Sequence, residues 1–365
     1  MVHKLLGWLR RDVVLTVSLA LAAASCLAVP PSGAYWSYID YDTLIILFCL
    51  MLIVEGLRRQ NVFHAIAARV LSRVDTARGL AFTLIFLCFL SSMLITNDVA
   101  LITFVPFGLM MMRMADMRER LTYTVTLMTV AANLGSMLTP IGNPQNLYLF
   151  SLSGLSLPGF LALTGPFAAG AAVLLALCVF FGYRQSMLTI QVGKGDPLDR
   201  KSVGCYGALF LLCLLTVAGL IPHAVLLVLV ILVLLWKDRT LFRQVDYSLI
   251  LTFTFFFVFV GNMKQLEGLQ VWISGALAGR ERLLGVLVSQ VISNVPAAML
   301  LSGYSSDIPA LIVGTNLGGL GTLIASMASL ISYKQLANQY PHKKKKYLVV
   351  FTLVNVAFLL ILYWL

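Results

Sequence analysis

The apolar residues of this chain fall in long blocks separated by short charged clusters, and that patterning limits the fold more than any single motif does. A helix needs about 20 mostly apolar residues to cross the hydrocarbon core of a bilayer. Blocks of that order recur along the whole sequence. Only 11% of the residues are charged and 60% are hydrophobic, whereas a soluble domain carries roughly 25% charge. The weak alternation of an outer-membrane barrel is absent. The chain reads as an all-α polytopic membrane protein, and the composition argues against a water-soluble enzyme.

Crossing segments fall near 13–29, 43–57, 121–153, 159–183, 203–220, 224–236, 247–262, 309–332 and 347–364. Two further apolar stretches, 80–112 and 283–303, suit either one long helix or a hairpin that enters and leaves on one side. Charge separates these options. Arg78 precedes the first stretch and Arg113, Arg118 and Arg120 follow it, so a single crossing would place basic clusters on both faces. With a re-entrant hairpin at each place, and an amphipathic stretch on the surface before it, all but Lys264, Arg280 and Arg282 of the 26 Lys and Arg fall on one side. Basic residues accumulate in cytoplasmic loops, so the expected topology is N-terminus in and C-terminus out, in the inner (cytoplasmic) membrane. The net charge of +11 then marks sidedness and implies no nucleic acid. The run Lys343 to Lys346 reads as an anchor for the last helix. Lys4, Arg10 and Arg11 followed by an apolar run to Cys26 resemble a signal peptide, but the run is long enough to span.

Two motifs occur twice. At an offset of 197, Ser92/Ser289, Ile95/Ile292, Asn97/Asn294 and Ala100/Ala297 are identical, each set in the middle of a hairpin candidate. At an offset of 183, the 15 residues from Asn133 to Leu147 match those from Asn316 to Leu330 at six positions. The expected organisation is a first repeat over 1–190, a cytoplasmic linker over 191–202 and a second repeat over 203–365. Under the charge-derived topology the repeats are inverted, an arrangement of secondary transporters with the substrate site at the repeat interface. Each repeat would hold one re-entrant hairpin and one discontinuous helix, over 121–153 and 309–332.

A turn at Thr96-Asn97-Asp98 inside an apolar stretch leaves backbone groups without helical partners, which in hydrocarbon costs several kcal/mol for each group. The same holds where Gly135, Pro140, Gly142 and Pro144 interrupt the helix, and where Gly318, Gly319 and Gly321 do so in the second half. Asn133, Thr139, Asn143, Gln145 and Asn146 supply side-chain hydrogen bonds there. Half-helix starts favour an anion, while half-helix ends and unwound carbonyls favour a small cation. Asp98 is the one acidic residue expected deep in the membrane, as a Na+ ligand, a proton carrier or a cap at a helix start. Glu55 is expected to pair at the interface with Arg58 and Arg59.

The strings Thr96-Asn-Asp-Val-Ala-Leu101, Thr139-Pro-Ile-Gly-Asn-Pro-Gln-Asn146, Ser293-Asn-Val-Pro296 and Asn316-Leu-Gly-Gly-Leu-Gly-Thr322 resemble the signatures of the ion transporter superfamily. Its members include the arsenite permeases, the NhaD-type Na+/H+ antiporters and the divalent anion:sodium symporters, and the strings look most like its arsenite permease and NhaD-type, citrate transporter-like branch. That resemblance implies an elevator-type transporter. A scaffold domain would form a homodimer, and a transport domain of two hairpins and two broken helices would move across the membrane. It further implies substrate binding by Thr96, Asn97, Thr139, Ser293, Asn294 and Thr322. The coupling cation or proton would be held by Asp98, Asn97, Asn133, Gly135, Asn294, Asn316 and Gly318. Asp98 and Val295 stand where the symporter pattern has threonine, and a carboxylate there repels a dianion unless a cation or proton neutralises it.

The expected function is secondary transport of a small anion, a carboxylate or inorganic oxyanion, coupled to Na+ or H+, with no cofactor. A Na+/H+ antiporter and an arsenite or metalloid efflux permease are the alternatives. An enzyme would need a nucleophile with its base, or a metal set, at membrane depth, and the sequence offers neither histidines nor paired carboxylates there.

Overall fold

The computed structural model describes residues 13–188 and 198–365. The basic residues Lys4, Arg10, Arg11 and Lys194 and most of the 191–202 linker lie outside the described residues. The described residues form helices and one isolated bridge between Thr76 and Met187, with no extended strand among them. This is a multi-pass helical membrane protein.

The first helices are α1 (Val13–Ala28), α2 (Tyr41–Arg59) and α3 (Val62–Leu71), the last being the expected amphipathic surface element. The 80–112 stretch is two helices, α4 (Ala77–Ile95) and α5 (Asn97–Met114), packed on each other and joined at Thr96. The expected broken helix follows as α6 (Leu121–Ser136), a turn at Pro140–Gly142 and α7 (Pro144–Ser153), and then α8 (Leu157–Gly182). The second half holds α9 (Arg200–Val217), α10 (His223–Lys237), α11 (Tyr247–Lys264) and the surface helix α12 (Glu267–Leu277). It continues with α13 (Glu281–Ile292) and α14 (Asn294–Ser302), which meet at Ser293. The second broken helix is α15 (Ile308–Leu317) with α16 (Met327–Gln339), and α17 (Lys344–Tyr363) ends the chain.

Five of these segments have both the length and the hydropathy to cross a bilayer unaided: α4, α8, α9, α11 and Pro341–Tyr363. The other expected crossings differ for physical reasons. With 15 residues α10 rises only about 22 Å. Helix α2 carries Asp42, Glu55, Arg58 and Arg59, and the broken helices are each two short pieces.

Two compact units interleave along the sequence, each drawing on both halves. One holds Met1–Arg59, Arg200–Glu281 and Pro296–Leu311. Within it α1 lies along α11, and α2 packs against α9 and α10. Gly56 permits that packing, since a Cβ there would come 2.3 Å from the Tyr206 ring. At the end of α2, Glu55 accepts from Arg58 at 2.7 Å, as expected, and Arg59 reaches Asp238 at 2.8 Å.

The other unit holds Gln60–Asp199, Arg282–Val295 and Ile312–Leu365. Its axis is α6, in which every residue except Tyr123 is buried; a helix without a polar face is a core helix. Helices α4, α5, α8, α16 and α17 surround it. The transport domain implied by the resemblance has two whole hairpins, but this unit contains only the first limb and tip of the second. Asn294 N–H donates to Ala325 O at 2.9 Å inside this unit. Further along, Gly303 meets Val260 inside the other, where a Cβ would come within 2.4 Å.

Candidate functional site

Both hairpin tips place a non-glycine residue at positive φ: Thr96 at 68° and Ser293 at 76°. With ψ at 151°, Thr96 occupies a region that only glycine enters freely, a strain of order 1–3 kcal/mol. Each strained residue directly precedes an asparagine that starts a helix, Asn97 of α5 and Asn294 of α14.

Asn97 Nδ2 donates to Asn133 Oδ1 at 3.1 Å. The Asn133 Oδ1 also accepts from Ser326 Oγ at 3.1 Å, and Asn133 Nδ2 approaches Ser329 Oγ at 3.3 Å and Gly319 O at 3.4 Å. Asn316 sits in a matching arrangement. Its Oδ1 accepts from Asn143 Nδ2 at 3.0 Å and its Nδ2 donates to Asn146 Oδ1. Asn133 and Asn316 are equivalent at the offset of 183, and Asn143 and Asn146 map at that offset onto Ser326 and Ser329. Each asparagine at the end of one half-helix is therefore held by the residues that open the next helix in the opposite half. Asn97, Asn133, Asn143, Asn146, Asn316, Ser326 and Ser329 are all buried.

Two more contacts recur. A Cβ on Gly135 would lie 2.1 Å from Phe89 O and 2.6 Å from Ser92 Oγ, and one on Gly318 2.6 Å from Ser289 Oγ and 2.9 Å from Gly285 O. Thr139 Oγ1 donates to Met93 O, and Thr322 Oγ1 donates to Gln290 O at 3.2 Å. The glycines thus let each hairpin approach its broken helix, and the threonines fasten the unwound segments to it.

The expected site residues separate on this geometry. Asn97, Asn133 and Asn316 belong to one buried network. Ser293 Oγ faces Asn294 Oδ1 at 3.4 Å and Ala325 O at 3.5 Å. Thr322 is exposed. Its hydroxyl, like that of Thr139, is bonded to the hairpin backbone. The Gly318 carbonyl accepts from Gln290 Nε2 at 2.9 Å and the Gly135 carbonyl from Leu138 N at 3.1 Å. Asp98 is half-buried in the first turn of α5, where its N–H donates to Asn97 Oδ1 at 2.9 Å. The carboxylate buried more deeply is Glu281, 3% exposed, at the start of α13. Sequence reasoning passed it over because it neighbours Arg280 and Arg282 and reads as part of a surface cluster.

Three other residues were missed. Ser326 and Ser329 were legible through the offset of 183, which aligns them with Asn143 and Asn146. Gln290 carried no such signal, because Met93 stands at its equivalent position in the first half. Gln145 is 1% exposed, and its Nε2 has no hydrogen-bond partner among the described residues.

The arrangement has a definite electrostatic character. Helices α5, α7 and α16 begin at this network, and α6 and α15 end at it. Helix starts present N–H groups and positive partial charge, and helix ends present carbonyls and negative partial charge. The side chains of the network are neutral amides and hydroxyls. Such a centre suits reversible capture of small polar or charged solutes.

The model of the citrate transporter family matches residues 2–308. The uncharacterized transporter MJ0456 of Methanocaldococcus jannaschii is 33% identical over 297 residues, 81% of this chain and 81% of its own. Inner membrane protein YbiR of Escherichia coli is 32% identical over 314 residues, 84% of this chain and 83% of its own. Silicon efflux transporter LSI3 of Oryza sativa subsp. japonica is 30% identical over 156 residues, 42% of this chain and 32% of its own. With interrupted helices meeting at a buried polar centre and matches to transporters over most of its length, the chain is a membrane transporter and belongs to the citrate transporter family.

Proposed function

We propose that this transporter moves a small anion, a carboxylate or inorganic oxyanion, in exchange for or together with Na+ or H+. The observation that carries this reading is the reciprocal asparagine network, where three helix starts and two helix ends meet in one buried centre. The starts favour the anion and the ends favour the cation. Gln145, buried with an uncommitted Nε2, is the best candidate for a direct substrate donor. Asp98 at the first turn of α5 is the candidate for coupling, as a cation ligand or proton carrier. The repeated contacts at offsets of 197 and 183 support two repeats, which the charge-derived topology makes inverted. The basic loops and the likeness to YbiR support placement in the inner membrane with the N-terminus inside.

Uptake or counterflow in proteoliposomes, measured across a panel of carboxylates and oxyanions with and without Na+ and at several pH values, tests the reading. Saturable flux that depends on the cation gradient is expected, with Gln145→Ala raising KM and the Asn97→Ala, Asn294→Ala double variant abolishing flux. Wild-type transport by that double variant would remove these residues from the site.

A second reading is efflux of a neutral hydroxylated metalloid. It is favoured by the neutral side chains of the network and by the likeness to a silicon efflux transporter. It requires flux of silicic or arsenous acid that is insensitive to membrane potential at neutral pH.

A further inference from the structure

A groove lies apart from the asparagine network, between the first turns of α4 and the last turns of α8. Its volume is about 640 Å³, within the 300–1,000 Å³ range of small-molecule sites. Phe82, Val173, Leu177 and Phe180 form its apolar wall, and all four are exposed. Both helices are apolar enough to cross a membrane, so this wall faces hydrocarbon.

The polar end of the groove is built on Arg78. Its guanidinium stacks 4.5 Å over the Phe180 ring, and its Nε donates to Tyr183 O at 3.1 Å. Among the described residues Arg78 has no carboxylate partner, and its two terminal nitrogens make no hydrogen bond. Its position is fixed while the fork of the guanidinium is open among the described residues, and such a fork matches a phosphate. Thr76, Gly79, Thr83 and Gln185 complete this end. In sequence Arg73 and Arg184 flank it, with Asp75 the one adjacent acid. An acid-poor cationic mouth leading directly into an exposed apolar trough complements a molecule with an anionic head and a hydrocarbon tail.

We propose that this groove binds an anionic glycerophospholipid, with its phosphate on Arg78 and an acyl chain along Phe82, Val173 and Leu177. A free phosphate ester would satisfy Arg78 and leave the apolar wall unused, so the lipid is the occupant the groove fits. Bound there, the lipid bridges the start of α4 and the end of α8, which the Arg78–Tyr183 bond and the Thr76–Met187 bridge already tie together.

Native mass spectrometry of the full-length protein tests this, with phosphatidylglycerol and phosphatidylcholine supplied at equal concentration in one detergent. Wild type should retain phosphatidylglycerol about fivefold more than phosphatidylcholine, the discrimination expected of one basic side chain near a membrane surface. Arg78→Gln should bring the two lipids to parity. Because Arg78 also bonds the Tyr183 carbonyl, Val173→Trp provides a second arm: it fills the trough from its exposed side with Arg78 intact, and should lower retention of both lipids. Phosphatidylglycerol should raise the melting temperature of wild type, and soluble glycerol phosphate should not. The proposal is overturned if Val173→Trp retains the lipid as well as wild type, if Arg78→Gln keeps the preference, or if glycerol phosphate protects as well as the lipid does.

Discussion

The two helix breaks solve one problem with different chemistry. Both must satisfy the carbonyls freed where the helix unwinds, since such groups are costly away from water. In the first half the donor comes from the helix that follows. Asn146 Nδ2 lies 3.3 Å from Ser136 O, 3.2 Å from Met137 O and 3.2 Å from Thr139 O. Pro144 fixes the start of that helix and the Asn143 side chain caps it. In the second half the corresponding residue is Ser329, too short for this role. There the hairpin supplies the donor, with Gln290 Nε2 at 2.9 Å from Gly318 O and 2.8 Å from Leu320 O. The freed carbonyls of the first break are therefore satisfied within its own segment, while those of the second depend on its hairpin. A change in the second hairpin should reach its break directly, and a change in the first should be better contained.

The largest expected effect comes from the glycines that seat hairpin against helix. Gly135→Ala drives a Cβ to 2.1 Å from the backbone oxygen of Phe89. We expect a loss of about 3 kcal/mol, at the upper end for overpacking. Gly318→Ala comes 2.6 Å from Ser289 Oγ and 2.9 Å from the Gly285 backbone oxygen, and should cost about 2 kcal/mol because its approach to backbone is less severe than at Gly135. Thermal unfolding in detergent reads both. Equal losses would mean that the two seats are equally rigid and would remove the asymmetry.

Next come the asparagines themselves. Asn133→Ala strips partners from Asn97, Ser326, Ser329 and Gly319 O, and Asn316→Ala from Asn143 and Asn146. Leaving buried polar groups unpaired costs about 1–3 kcal/mol, so both should lose stability and transport together. Because the two amides hold opposite halves, the double variant should cost more than either single change. If Asn133→Ala unfolds no earlier than wild type, the network does not hold the centre together.

Much of this was legible in the sequence, and what was not has a physical cause. Apolar length located the helices, and proline and glycine located the breaks, because these are local properties of the chain. Charge selected the hairpins, and the repeat at an offset of 197 together with the family resemblance set their tips at Thr96 and Ser293. The partners of Asn133 at 319, 326 and 329 lie far off in sequence and depend on packing, so only the repeat could have pointed to them. Asp98 was expected to be the deeply placed acid on the strength of its apolar neighbours. Those neighbours are the two helices that meet at the tip, and the carboxylate in the first turn of α5 is half-buried within the protein.

A smaller effect separates the two breaks directly. Gln290→Met installs the residue that the first half carries at the equivalent position. It removes the bonds to Gly318 O, Leu320 O and the Thr322 N–H, a loss of about 1–2 kcal/mol. Hydrogen exchange should rise over 318–322 and stay unchanged over 139–146. Faster exchange at both breaks would show that they are coupled and that the first is not self-contained.

The smallest effect should have the opposite sign. Thr96 is β-branched, at φ 68° and ψ 151°, a conformation that costs it of order 1–3 kcal/mol. Glycine there relieves the strain and gives back about 0.4–1 kcal/mol through the greater freedom of the unfolded chain. Thr96→Gly should therefore stabilise the protein slightly, by about 0.5–1 kcal/mol. Ser293→Gly at φ 76° should stabilise it less, since serine lacks the branching that makes positive φ hardest to adopt. A rise in melting temperature that is larger for Thr96→Gly, together with slower transport in both variants, would mean that the tips hold strain which the transport cycle uses. Unchanged transport would make the strain incidental to how the asparagines are presented, and a fall in melting temperature would show that the Thr96 side chain contributes more than its backbone costs.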